Sequence, residues 1–165
     1  MTGEAEHKIA HGETLEDADA FAGLIRQGAA LIGIDAGTKT FGLAISDLSG
    51  TIASPLETIR RSKFTKDVGR LKEIVEANEI TGFVLGLPRN LDGTEGPRAQ
   101  STRALARNLN RIFPLPILLW DERLTTSQAE RMLIEADQSR KRRSEVIDKL
   151  AATLILQGAL DRLKC

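Results

Sequence analysis

A chain of 165 residues with 23 Lys+Arg, 23 Asp+Glu and 41% apolar residues has room for one domain with a sizeable core and hardly for a second. One cysteine, Cys165, excludes a disulfide-stapled secreted fold and favours a reducing, cytoplasmic compartment, and no apolar run approaches the roughly 20 residues of a membrane span. Zero net charge means that any nucleic-acid footprint must be local.

The first 20 residues are acidic, poor in large apolar side chains and without the basic start and apolar stretch of a secretory signal. Residues 1–28 are therefore expected to form a flexible leader and 29–165 the folded domain. Within the leader, 14–28 reads as a short helix opening on Thr14 and closing on Gly28, with Leu15, Phe21, Leu24 and Ile25 as docking residues. From Ala29 the texture changes. ALIGIDAG (30–37) is a continuous apolar run of the kind that forms a strand buried on both faces. TFGLAISD (40–47) and TIASPLETIR (51–60) supply two further strands across tight turns, and Pro55 marks the last as an edge or a bulge. Helical spacing of Phe64, Val68, Leu71, Ile74 and Val75 predicts a helix over 63–78. Then follow a strand at 81–88, a helix at 96–113 with Pro97 in its first turn, a strand at 115–122 and a helix at 125–136. A polar connector, QSRKRR (138–143), precedes a long helix at 144–163 capped by Ser144.

This order implies an α/β domain: a five-stranded mixed sheet, three antiparallel strands followed by two parallel to the first, flanked by helices. Right-handed crossovers place the first strand at the centre. Ligands of such sheets sit at the carboxyl ends of the strands, where Asp35, residues 88–90 and Asp121–Glu122 all fall. Because neighbouring strand residues face opposite ways, only one of Asp121 and Glu122 shares the side of Asp35. Asp148 lies on the apolar face of the last helix, beside Ala151 and Ala152, where a lone acid needs a partner. Glu145 lies nearer the exposed end of that face. Carboxylates gathered in one place repel, and hard divalent cations relieve the repulsion; oxygen-only ligands select Mg²⁺ or Mn²⁺ over zinc. Two such ions, once substrate is bound, suit phosphodiester hydrolysis. A salt-bridged or turn-forming role for each acid is the competing structural explanation.

GIDAGTKTFGLAISD (33–47), VLGLPRNLDGTEGPRAQ (84–100), WDERLTTSQAE (120–130) and VIDKLAATLILQGALD (146–161) resemble, in order, the signature blocks of the YqgF/RuvX family. The resemblance runs from about Ala30 to Leu163. It implies an RNase H-like fold and a Holliday junction resolvase or a nuclease maturing the 5′ end of pre-16S rRNA. By that resemblance Asp35, Glu122 and Asp148 are the catalytic metal ligands. Thr40 stands where the family usually carries Arg, with Lys39 retained beside it.

Substrate contacts are expected from Lys39, Arg89, Asn90, Arg123, Thr125, Thr126, Arg142 and Arg143; the two threonines also serve as helix caps, and Arg123 has Asp121 as an alternative partner. Three basic groups, Arg60/Arg61/Lys63/Lys66, Arg98/Arg103/Arg107/Arg111 and Arg140–Arg143, offer local phosphate footprints. With no Tyr and 4% aromatics, recognition by shape and backbone outweighs base stacking. The expected activity is a metal-dependent endonuclease acting on structured rRNA precursor or branched DNA, as a monomer or weak homodimer. The alternative is a non-catalytic nucleic-acid-binding or ribosome-assembly factor on the same fold. An actin-like ATPase, which also uses Asp-x-Gly-Thr, would need a second lobe that 165 residues do not supply.

Overall fold

Sheet formation begins earlier in the chain than the hydrophobic pattern indicates. A computed structural model describes residues 12–121 and 140–164, with the side chains of 140–147 outside the description. Its elements are β1 (Thr14–Leu15), α1 (Ala18–Ala22), β2 (Ala30–Ala36), β3 (Thr40–Ser46), β4 (Ala53–Arg60), α2 (Phe64–Ala77), β5 (Ile80–Leu87), α3 (Pro97–Ile112), β6 (Ile117–Asp121) and α4 (Arg140–Leu163). The helix expected at 125–136 lies outside the described residues.

The sheet has six strands in the order β1-β6-β5-β2-β3-β4, one more than the five expected. β2 is central, antiparallel to β3 and parallel to β5, and β5 is parallel to β6. This is the expected mixed sheet, three antiparallel strands with two parallel to the first, widened by β1. β1 runs parallel to β6, with Thr14 opposite Ile117. Residues 14–15 are therefore strand rather than the opening turn of a helix, and Thr14 is no cap. The physical reason is the otherwise open edge of β6: Ile117 N–H donates to the Glu13 carbonyl at 2.7 Å, and the Asn110 side-chain amide donates to the Thr14 hydroxyl at 2.5 Å. The helix that follows is only five residues long and is capped by Asp17, whose carboxylate accepts from Asp19 N–H. Phe21 docks with no exposed surface, whereas Leu24 is 48% exposed and does not.

β4 is an edge strand whose register with β3 shifts between Leu43 and Ala44, beside Pro55. Both outcomes foreseen for that proline are realised, since it removes a ladder donor. α4 includes Arg140–Arg143, so the described part of the predicted connector is helical and Ser144 lies inside the helix rather than at its cap. Arg and Lys are good helix formers, and the apolar half of α4 anchors the whole run.

Alternate residues of the strands feed two cores. Ile32, Ile34, Leu43, Phe83, Leu85 and Leu87 pack under α2 and α3. Leu31, Ala44, Val84 and Leu118 pack under α4 with Ala152, Ile155, Leu156 and Ala159. Glycines of β2 and β3 lie where α4 crosses them. A Cβ on Gly33 would stand 2.8 Å from Leu156 Cβ, and one on Gly42 would stand 2.0 Å from the Asp148 carbonyl oxygen. The helix backbone thus lies almost directly on the sheet.

At the opposite rim, Asp47 organises the β3–β4 turn. Its carboxylate accepts from the Ser49 hydroxyl (2.5 Å) and from Thr51 and Ile52 N–H (2.7 and 3.0 Å). The Ser49 hydroxyl first, then the Ile52 and Thr51 amides, hold its pKa at about 2, below the ordinary 3.8. Since the folded value is the lower one, the stabilisation is complete above about pH 4 and disappears as pH falls towards 2. Asp47→Ala is expected to lower Tm by about 2–4 °C at neutral pH. The gap from wild type should close in thermal melts between pH 4 and pH 2; a gap constant with pH would assign the effect elsewhere.

Candidate active site

Antiparallel register sets the geometry at the carboxyl rim of the sheet. Asp35 is the penultimate residue of β2 and lies opposite Gly42 of β3. Directly opposed residues present side chains to the same face, and Gly42 meets the Asp148 main chain. Asp35 therefore faces the side on which Asp148 sits. Thr40, two residues before Gly42 and on the same face, donates its hydroxyl to Asp148 Oδ2. Asp35 and Asp148, 113 positions apart in the chain, are thus brought to one face of one rim. Both side chains are half-buried.

The alternation of β6 decides between the two acids at its end. Trp120 lies on the α4 face, where a Cβ on Gly158 would stand 3.1 Å from its Nε1. Asp121 consequently points to the opposite face, away from Asp35. Glu122, Arg123, Thr125 and Thr126 lie outside the described residues. No group of three His, Cys, Asp or Glu side chains able to hold a metal occurs among the described residues. The donors present, two carboxylates with a hydroxyl bonded to one of them, are all oxygen and suit a hard divalent cation.

Comparison with known proteins bears on the identity of this rim. The model of the family described as "RuvX: Holliday junction resolvase" matches residues 29–162. The chain belongs to the RuvX family. A relative from Ruegeria sp. (strain TM1040), named "Putative pre-16S rRNA nuclease", is 62% identical over 144 residues, covering 87% of this chain and 92% of its own. A relative of the same name from Paracoccus denitrificans (strain Pd 1222) is 60% identical over 149 residues, covering 90% and 94%. Among solved structures, T. thermophilus RuvC in complex with a Holliday junction substrate aligns with a TM-score of 0.49 and 17% identity, over 82% of this chain and 96% of that one.

Around the two acids, this RuvX chain arranges the remaining predicted residues unevenly. Lys39 is exposed at the tip of the β2–β3 turn, which is closed by Gly37 N–H donating to the Thr40 carbonyl at 2.9 Å. Asn90 is exposed, but its side-chain amide donates to the Thr94 hydroxyl at 2.9 Å and so knits its own loop. Arg89 is occupied by carboxylates. It donates to Glu16 at 2.8 Å and lies 3.7 Å from Glu95, while Arg103 grips Glu95 at 2.6 Å and Glu16 at 3.3 Å. Arg103 is the first cause of the lowered pKa of Glu95. Arg142 and Arg143 lie in the first described turns of α4, with side chains outside the description.

Two features of the rim were not legible beforehand. The Glu16–Arg89 pair spans 73 positions and joins segments with no shared motif. The bond from Thr40 to Asp148 spans 108 positions; the departure from the usual Arg marks the position as unusual, without naming its partner.

Proposed function

We propose that this chain is a divalent-metal-dependent endonuclease that hydrolyses phosphodiester bonds during 5′-end maturation of pre-16S rRNA. The observation that carries the reading is the placement of Asp35 and Asp148 on the same, α4, face of the carboxyl rim. The pre-16S rRNA nuclease name carried by relatives at 60–62% identity supports the substrate. Branched DNA is a second candidate, favoured by the description of the family whose model matches. On this reading the protein works in the cytoplasm, where rRNA precursors are processed. We take the working form to be a monomer or weak homodimer.

In this reading Asp35, Glu122 and Asp148 hold Mg²⁺ or Mn²⁺. A divalent ion held by these residues would supply Lewis acidity, which would make a water more acidic and offset charge on a leaving oxygen. The chain's own residues supply placement. Asp35 is fixed by its position on a strand paired on both sides, and Thr40 fixes the rotamer of Asp148 through its hydroxyl. Lys39, exposed beside them, offers an ammonium to a substrate phosphate. Arg89 can do the same only by exchanging Glu16 and Glu95 for the phosphate, and Asn90, Arg123, Thr125, Thr126, Arg142 and Arg143 complete the proposed contact set.

Matched substrates test the reading: a pre-16S rRNA fragment spanning the 5′ cleavage region and a four-way DNA junction, each with Mg²⁺, Mn²⁺ or chelator. Metal-dependent cleavage of the RNA, abolished in chelator, is the expected result. Cleavage of the junction alone would move the assignment to branched DNA. Cleavage undiminished by chelator, or none of either substrate under any ion, overturns it.

A further inference from the structure

On the far side of the same strand tip, a cleft of about 120 Å³ is lined by residues 36–38 together with Arg61, Arg98, Ser101, Thr102 and Leu105. Among the described residues no acidic side chain lines it. Arg61 donates through Nη1 to the Gly37 carbonyl at 2.6 Å and lies over the Phe41 ring, 4.6 Å from its centroid. Arg98 donates through Nη2 to the Ala36 carbonyl at 3.4 Å. Both guanidiniums are thus held against the main chain of the residues that immediately follow Asp35. Neither pairs with a carboxylate among the described residues, in contrast to Arg70, Arg89 and Arg103.

We infer that this cleft binds a backbone phosphate of the nucleic-acid strand, adjoining the phosphate that lies at Asp35. A guanidinium has five N–H donors in a planar fork, and one carbonyl bond leaves the others for an oxyanion. Ring stacking and the carbonyl bond hold the Arg61 fork in place, so less rotamer freedom is lost when the anion arrives. Arg98 and Ser101 also stand in the opening turns of α3, a 16-residue helix whose amino end favours negative charge. The polyanion would cross the β2–β3 turn from the acid side to the arginine side, with exposed Lys39 at the crossing. Backbone contacts of this kind set register on the substrate without reading its sequence.

The inference rests on the nuclease reading of the rim, so its test is made in binding rather than turnover. Affinity for the pre-16S rRNA fragment and for the four-way junction is measured in chelator across a salt series, with Tm recorded for each variant. The double variant Arg61→Gln/Arg98→Gln is expected to bind about tenfold more weakly, with the slope of log affinity against log salt reduced by about one. Arg98→Gln alone, which leaves the Arg61 stack on Phe41 untouched, should show part of both changes and a wild-type Tm. Lys72→Gln, on the exposed side of α2 and outside the lining of the cleft, should show neither. Unchanged affinity and salt slope in the double variant overturn the cleft while leaving the acid site standing. Wild-type protein that binds neither nucleic acid overturns both readings together.

Discussion

Asp35→Asn is expected to lower the cleavage rate by at least about 10³-fold while leaving nucleic-acid affinity and thermal stability close to wild type. The substitution is isosteric and removes only the charge. Its backbone stays in a strand paired with β3 on one side and β5 on the other, so the sheet at this position is retained. Affinity for a polyanion comes from cations on the phosphates, and removing an acid from the rim takes away none of them. The loss should therefore appear in the single-turnover rate at saturating protein, with the binding curve superimposed on that of wild type. A rate within about threefold of wild type would remove Asp35 from the catalytic set and leave Asp148 without its counterpart.

Gly42→Ala is expected to damage stability and activity together. A Cβ at this position would lie 2.0 Å from the Asp148 carbonyl oxygen and 2.4 Å from its carbon, both main-chain atoms of a helix that cannot rotate aside like a flexible side chain. The methyl can be accommodated only by lifting α4 from β3, which loosens the contacts of Ala151, Ala152 and Ile155, all fully buried. Overpacking of this kind costs about 3 kcal/mol or more, which for a domain of this size corresponds to a fall in Tm of roughly 6–12 °C. The same displacement moves Asp148 off the face it shares with Asp35, so cleavage should fall even at temperatures where the variant is folded. Thermal melts paired with cleavage well below the lowered Tm separate the two effects. A variant with wild-type Tm would show that the helix does not rest on Gly42.

Much of the architecture was legible because it is local. Continuous apolar runs marked β2 and β5, helical spacing marked α2, and Pro97 marked the first turn of α3. Each of these signals lies within one element and needs no knowledge of neighbours. β1 was not legible. Two residues carry no periodicity, and their conformation comes from the open edge of β6 and from Asn110, neither of which is near in sequence. The reach of α4 back to Arg140 escaped notice for a related reason: a charged run has no apolar stripe of its own and is carried by the buried half of the helix.

The candidate site divides along the same line. Sequence alone singled out the residues proposed to carry the chemistry, because Asp35 ends an apolar strand, Asp148 interrupts an apolar helix face, and four ordered blocks resemble one family. It also determined that Asp121 and Glu122 cannot share a face, since strand alternation is a property of the backbone itself. Only the tertiary structure decided that Gly42 brings the Asp148 main chain onto β3, that Thr40 holds the Asp148 carboxylate, and that Arg89 is engaged by Glu16 and Glu95 while Arg61 and Arg98 line one cleft with no acid among its described residues. The reason is physical. Strand pleat and helix period act between near neighbours in the chain, whereas these contacts depend on how closely two surfaces approach and which charges reach each other across them.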